Sequence, residues 1–399
     1  MYENILHQSA PSFLSRDIEN QTLPRAMLFS GNTASGKLTC ALETARVLSC
    51  TQGGAQGCSC PSCAEHKTLF SQNLLLCGSG TRVLEVAAAK KTLLEQVANG
   101  SAYIEEARLL FIRAARKITL KFSPTLWEGE DKYSKTAVPL QTIEESLAQI
   151  EGMRDFHDTA RVEKLLDETE KACAKLEDEY LPSSLPVQQV RNISNWAAFK
   201  SDAGPKVAII ENAHAMQEGA KNALLKTLEE PPPDVFFILT TSKRGAILPT
   251  ILSRVRNYHF ADLAQQQQKD VLDRVFHYSG QVQSVSDYLL SFLKTKPDEA
   301  KKAGESFARE ALGGHLPDTQ KAMKACAAFS PKILFSLFAQ GAVGAYTTTQ
   351  QSGLSSELSF LALEQIKKAL VAVETYNQTP LAALEALSRG LYMTSRGRV

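Results

Sequence analysis

Residues 31–40, "GNTASGKLTC", carry the glycine and lysine spacing of a phosphate-cradling loop, yet place a leucine where that loop has its magnesium hydroxyl. The residues before it, "RAMLFSG" (25–31), read as a short buried strand ending in a glycine turn. Those after it, "GKLTCALETARVLSC" (36–50), have the apolar period of a helix. Strand, loop and helix form the setting in which main-chain N–H groups wrap phosphate oxygens at a helix amino terminus. Gly31 and Gly36 shape the turn, and the Lys37 ammonium reaches the outer phosphates. Leu38 offers magnesium no oxygen, and Thr39 points about 100° further round the helix. Magnesium has therefore lost its direct ligand, while the loop and Lys37 keep the means to hold ATP.

A second stretch belongs with the first. "KVAIIENAHAM" (206–216) is an apolar run closing on polar residues, as in a buried parallel strand whose carboxyl end opens at a site. Phosphate-loop ATPases place two acids there, one for the metal's water shell and one to polarise the attacking water. Here they are Glu211 and Asn212. Glu211 retains a carboxylate, whereas the neutral Asn212 amide accepts no proton and is a poor general base. Two alterations in one site favour lost hydrolysis.

Composition bounds the rest. The 399 residues are 44% apolar, enough for a full core and two or three domains. Forty-four Lys and Arg stand against forty-three Asp and Glu, so no global positive field recruits nucleic acid. No apolar run approaches the ~20 residues of a membrane span, and "MYENILHQSAPS" lacks the order of a signal peptide, so a cytoplasmic location is expected. Of eight cysteines, Cys50, Cys58, Cys60 and Cys63 crowd together, which in a reducing compartment argues for metal over disulfides.

Residues 221–260, "KNALLKTLEEPPPDVFFILTTSKRGAILPTILSRVRNYHF", closely resemble the clamp-loader branch of the AAA+ ATPases. That resemblance implies a phosphate-loop α/β domain with a parallel sheet flanked by helices. It makes "FFILTT" a strand ending in a polar sensor, Thr240 or Thr241, and makes Arg254 of "SRV" an arginine finger. Such a finger acts in trans on a neighbour's γ-phosphate, worth roughly 10³ to 10⁵ in rate in GTPases. The resemblance also implies structural zinc on Cys50, Cys58, Cys60 and Cys63, although the single residue between Cys58 and Cys60 is shorter than usual and leaves His66 as a substitute ligand. Among bacterial members, altered nucleotide residues with a retained arginine are most similar to the delta prime class of DNA polymerase III. That class implies delta and gamma/tau subunits as partners, and the sliding clamp and primed DNA through the complex.

The interval from about Gly78 to Pro182 is an insertion relative to that pattern. Leu140, Ile143, Leu147 and Ile150 recur at helical spacing, which predicts a long amphipathic helix over 140–180, paired with a helix over 103–122 in an appended arm. Arg108, Arg113, Arg116, Lys117 and Lys121 of the latter fit either a solvated face or a DNA contact. Residues 1–260 are thus expected to form the phosphate-loop domain, 261–320 a helical lid and 321–399 a helical collar whose last two helices break near Asn377 and Pro380. Two rival readings stay open: a gamma/tau-like motor with Thr39 and Glu211 as unusual metal ligands, and a nucleic-acid adaptor working through the insertion.

Overall fold

A computed structural model describes residues 1–201, 204–293, 295–325, 333–351, 355–374 and 378–396. Five parallel strands form the sheet: β1 (Ala26–Ser30), β2 (Leu74–Gly78), β3 (Lys206–Glu211), β4 (Val235–Thr241) and β5 (Arg256–His259), in the order β2-β3-β4-β1-β5. Strands β1 to β4 are near-continuous apolar runs because both faces are covered. Met27, Phe29, Leu76, Val207, Ile209 and Ile238 face one layer, with α1 (Ala10–Glu19) and α2 (Lys37–Ser49). Leu28, Leu75, Cys77, Ile210, Phe237 and Leu239 face the other. The chain divides into two compact units, Met1–Leu289 and Leu290–Val399.

Beyond α3 (Pro61–Thr68), the insertion contributes α4 (Val83–Ala98), α5 (Ile104–Thr119), α6 (Ala137–Gly152) and α7 (Thr159–Lys175). It is not an appended arm. Val86, Leu93, Phe111, Ile118, Ile143, Leu147 and Leu166 join one apolar cluster with the second face of the sheet. The expected long helix over 140–180 is broken in two, and α6 and α7 form the hairpin with each other. The break has three visible causes. Asp158 caps α7 by accepting the Arg161 N–H at 3.0 Å, Met153 and Phe156 turn inward onto the core, and Arg108 donates to the Met153 carbonyl at 2.9 Å. Chain return is then by α8 (Val187–Ala198), α9 (Glu218–Glu229) and α10 (Pro249–Leu252).

The stretch expected to be a lid holds α11 (Gln265–Phe276), α12 (Val285–Leu290) and α13 (Pro297–Leu312). Within the second unit, α13 packs with α14 (Thr319–Ala325), α15 (Leu334–Gln351), α16 (Ser356–Glu374) and α17 (Pro380–Ser395) around Phe307, Phe335, Phe338, Ile366 and Leu387. A Cβ on Gly304 would lie 1.9 Å from the Phe338 carbonyl oxygen, so glycine is what lets α13 and α15 approach. Asn377 lies outside the described residues; α17 starts at Pro380, where the Thr379 hydroxyl accepts the Ala382 N–H at 3.4 Å.

Candidate functional site

Parallel register aligns the carboxyl ends of the strands, pairing Ser30 with Thr241 and Gly78 with Glu211. This edge gathers the loop residues Gly31, Gly36, Lys37 and Thr39 with Glu211, Asn212, Thr240 and Thr241. Gly36 has φ +86°, a left-handed conformation that favours glycine, and caps α2. Lys37 folds back over the loop: its Nζ donates to the Gly31 carbonyl at 2.7 Å, to Ser35 Oγ at 3.0 Å and to the Asn32 carbonyl. Burial, and then the nearby Arg82 guanidinium, push the ammonium down to about 8. Leu38 turns into the apolar layer beside Met27 and Phe29, and Thr39 is half-buried.

Glu211, 5% exposed, is already occupied. Lys121 Nζ stands 2.7 Å from its Oε2, and the Arg82 guanidinium pairs with its Oε1. A Cβ on Gly80 would lie 2.3 Å from the same carboxylate, so a side chain there would displace the carboxylate from this position. Lys121 also donates to the Gly80 carbonyl. Arg82 is set by Glu177, whose carboxylate accepts the Arg82 N–H at 2.5 Å and the Val83 N–H at 3.0 Å, at the start of α4. A π-helical turn, Leu176–Tyr180, carries Glu177. Nearby, burial opposes the charge on Glu85, but Lys117 and Arg82 hold its carboxyl below the ordinary value.

Asn212 has φ +52°, and its N–H donates to Thr240 Oγ1 at 3.4 Å. Thr241 Oγ1 lies 2.9 Å from His214 Nδ1 and accepts the Lys243 N–H at 3.0 Å. Burial, with Lys243 and Lys37 close by, holds the His214 imidazole below its ordinary pKa. Arg82, Lys121, Glu177 and His214 are the site residues that sequence reasoning missed. Three belong to the insertion, whose cations gave only two options, solvated face or DNA.

The structure assigns most of those cations to neither option. Arg113 donates to the His66 and Lys67 carbonyls at 3.2 and 2.6 Å. Arg116 donates to the Thr68 carbonyl at 2.9 Å and pairs with Glu151 at 2.8 Å. Lys117 pairs with Glu85. Arg254, at the end of α10, is half-exposed; its Nε donates to Glu229 Oε1 at 2.9 Å and its Nη1 to the Thr250 carbonyl at 2.7 Å.

The cysteine cluster has the geometry of a metal centre. The sulfurs of Cys50, Cys58, Cys60 and Cys63 all lie within 4.8 Å of one another. Cys50 is 3.6 Å from Cys58 and 4.0 Å from Cys60, close to the ~3.8 Å between thiolates around tetrahedral zinc. The N–H groups of Gln52 and Gly54 donate to Cys50 Sγ at 3.3 and 3.2 Å. The N–H groups of Cys63 and Thr51 pull the Cys60 thiol down to about 6, favouring the thiolate a metal needs. The one-residue gap between Cys58 and Cys60 does not keep either from the cluster. His66 is buried, is pushed down to about 4 by burial and by Arg46, and lies outside the four-sulfur group.

A family model described as "DNA polymerase III, delta subunit" matches residues 6–127 and 130–264. This chain belongs to that family. The matched stretches contain every candidate residue named above. DNA polymerase III subunit tau of Bacillus subtilis is 42% identical over 81 residues, 20% of this chain and 14% of its own length. DNA polymerase III subunit delta' of Haemophilus influenzae is 40% identical over 76 residues, 19% of this chain and 23% of its own. The chain thus spans less than a quarter of the length of either relative. A gamma subunit-related protein of Thermotoga maritima aligns with 58% of this chain and 90% of its own at 16% identity, with a TM-score of 0.25. Within the described residues of this family member, no helix is long and apolar enough to cross a membrane.

Proposed function

We propose that this chain is a delta prime-like subunit of the DNA polymerase III clamp loader, a stator with little or no ATP hydrolysis of its own. It stands beside delta and gamma/tau, offers Arg254 to a neighbour's ATP site, and takes part through the complex in loading the sliding clamp at primed DNA. Residues 261–320 serve as its lid and 321–399 as its collar.

One observation carries the reading: the carboxylate at the end of β3 is neutralised by Lys121 and Arg82, the chain's own cations. Magnesium at Glu211 would have to displace a buried ion pair, and leaving a charge of such a pair buried without its partner costs about 3–5 kcal/mol. Leu38 offers the metal no hydroxyl, and the Asn212 amide is no general base. The Arg254–Glu229 pair is half-exposed, so its exchange for a neighbour's phosphate costs little, about 0–1 kcal/mol. Cys50, Cys58, Cys60 and Cys63 would hold zinc as a closed structural site, with no open position for catalysis. Arg113, Arg116, Lys117 and Lys121, the cations that suggested a nucleic-acid adaptor, are matched internally and are not offered to a phosphate backbone.

The test is steady-state ATP hydrolysis by the purified chain alone, and with gamma/tau and delta. The stator reading expects a silent lone chain, no effect of Lys37→Ala on that silence, and slower turnover of the assembled complex with Arg254→Ala. Magnesium- and Lys37-dependent turnover by the lone chain would overturn it in favour of the motor.

A further inference from the structure

On the first unit, away from the strand ends, α3, α5 and α6 wall a groove that opens to solvent. Its volume of about 1190 Å³ is at or above the roughly 300–1,000 Å³ of small-molecule sites. Leu109, Ile112 and Ala148 line it, and Phe70 stands at its side with 66% of its surface exposed. Exposed aromatics scattered singly are ordinary, but Phe70 adjoins the apolar walls and extends them toward solvent.

Phe70 is also held in place. The Arg116 guanidinium lies 5.2 Å from its ring centroid and is itself anchored on the Thr68 carbonyl and Glu151. An aromatic already fixed loses little freedom when a partner covers it, which is what makes such residues binding anchors. Arg116 is 6% exposed, so its guanidinium is a fixed platform under the ring and not a mobile surface charge.

Charge selects the partner. Five glutamates line the groove with two arginines. Arg108 is matched by Glu105 and Arg116 by Glu151. Glu65, Glu106 and Glu144 have no cation partner among the described residues. Lysine or arginine side chains above an apolar stripe would complement both the rim and the floor.

We propose that this groove docks a basic amphipathic helix of another polypeptide, which packs an apolar side chain on Phe70 and sets cations against Glu65, Glu106 and Glu144. Three helical walls suit a helix-in-groove mode, read by an apolar stripe at helical spacing. The site uses none of the nucleotide or cysteine residues, so it stands or falls independently of the ATP reading.

The experiment uses the full chain and two fluorescein-labelled, helix-forming peptides that share a leucine stripe, one with lysines on the opposite face and one with glutamates. Fluorescence anisotropy should show saturable binding of the lysine peptide only. Phe70→Ser should weaken it about tenfold, as for an anchor residue. The double change Glu106→Lys with Glu144→Lys should abolish it and admit the glutamate peptide. Circular dichroism of both variants should match that of the unchanged chain. Absent or non-saturable binding, equal binding of both peptides, or unchanged affinity in the folded variants would overturn the proposal. So would self-association in sedimentation that Phe70→Ser removes, because the occupant would then be a second copy.

Discussion

Two places in the first unit gather groups that could bind a cation, and the fold treats them oppositely. At the end of β3, Glu211 is met by Lys121 and Arg82, so its charge is compensated by side chains built into the insertion. At the cysteine cluster, four sulfurs converge and the neighbouring Arg46 donates to one of them, Cys63, at 2.9 Å. Glu43 takes up much of that arginine's charge at 2.7 Å. One site carries its own cations; the other brings together four cysteine sulfurs that could hold a metal. A motif therefore indicates which anions are present, but their compensation decides whether a metal is called for.

The sharpest way to break this contrast is at the cysteines. Zinc at one per chain, measured by mass spectrometry of metal content, should disappear in Cys60→Ser. The unfolding midpoint should fall by about 10 °C, since structural zinc contributes several kcal/mol and about 1 kcal/mol shifts a domain of this size by ~2–4 °C. A fully stable, metal-free wild type would remove the contrast.

Next in size is Lys121→Met, which leaves Glu211 buried with a weaker complement of charge. Urea unfolding should show a loss of about 3–5 kcal/mol, and pairing the change with Glu211→Gln should recover much of it. If the two losses simply add, Lys121 and Glu211 are not energetically coupled, and the compensation of Glu211 by Lys121 fails.

The smallest effect concerns Lys37, whose ammonium is pushed down to about 8 from 10.5 by burial and Arg82. Below pH 8 it is charged in both folded and unfolded chains, and its burial cost is fully present. As pH rises from about 8 toward 10.5, the folded chain releases the proton first, so this residue's contribution to stability rises. Urea midpoints across that window should rise in the wild type relative to Lys37→Met. Parallel curves would show that the loop does not hold the ammonium at a disadvantage.

Local pattern made much of the sheet legible. The apolar runs of β1, β3 and β4 and the turn at Gly31 to Gly36 are short-range features, and the structure places them together at one edge. The insertion was less legible for a physical reason. Periodicity over 140–180 reports an apolar face and does not report that the face must turn; the break at Met153–Asp158 follows from side chains meeting a core built by distant strands. The same limit applies to charge. Arg113, Arg116, Lys117 and Lys121 look alike in sequence, and only their partners, dozens of residues away, show them buried against carbonyls and carboxylates.

By itself the sequence determined the glycine and lysine spacing of residues 31–37 with leucine at 38, the Glu211-Asn212 pair, Arg254 and the set of four cysteines, because each is a matter of residue identity and near spacing. Tertiary structure alone decided that Lys121 and Arg82 close on Glu211, that Glu177 orients Arg82, and that Phe70 is held open over an acidic groove. Those arrangements depend on which faces are driven together by burial, and a buried charge takes its partner from whatever the packed core brings within reach.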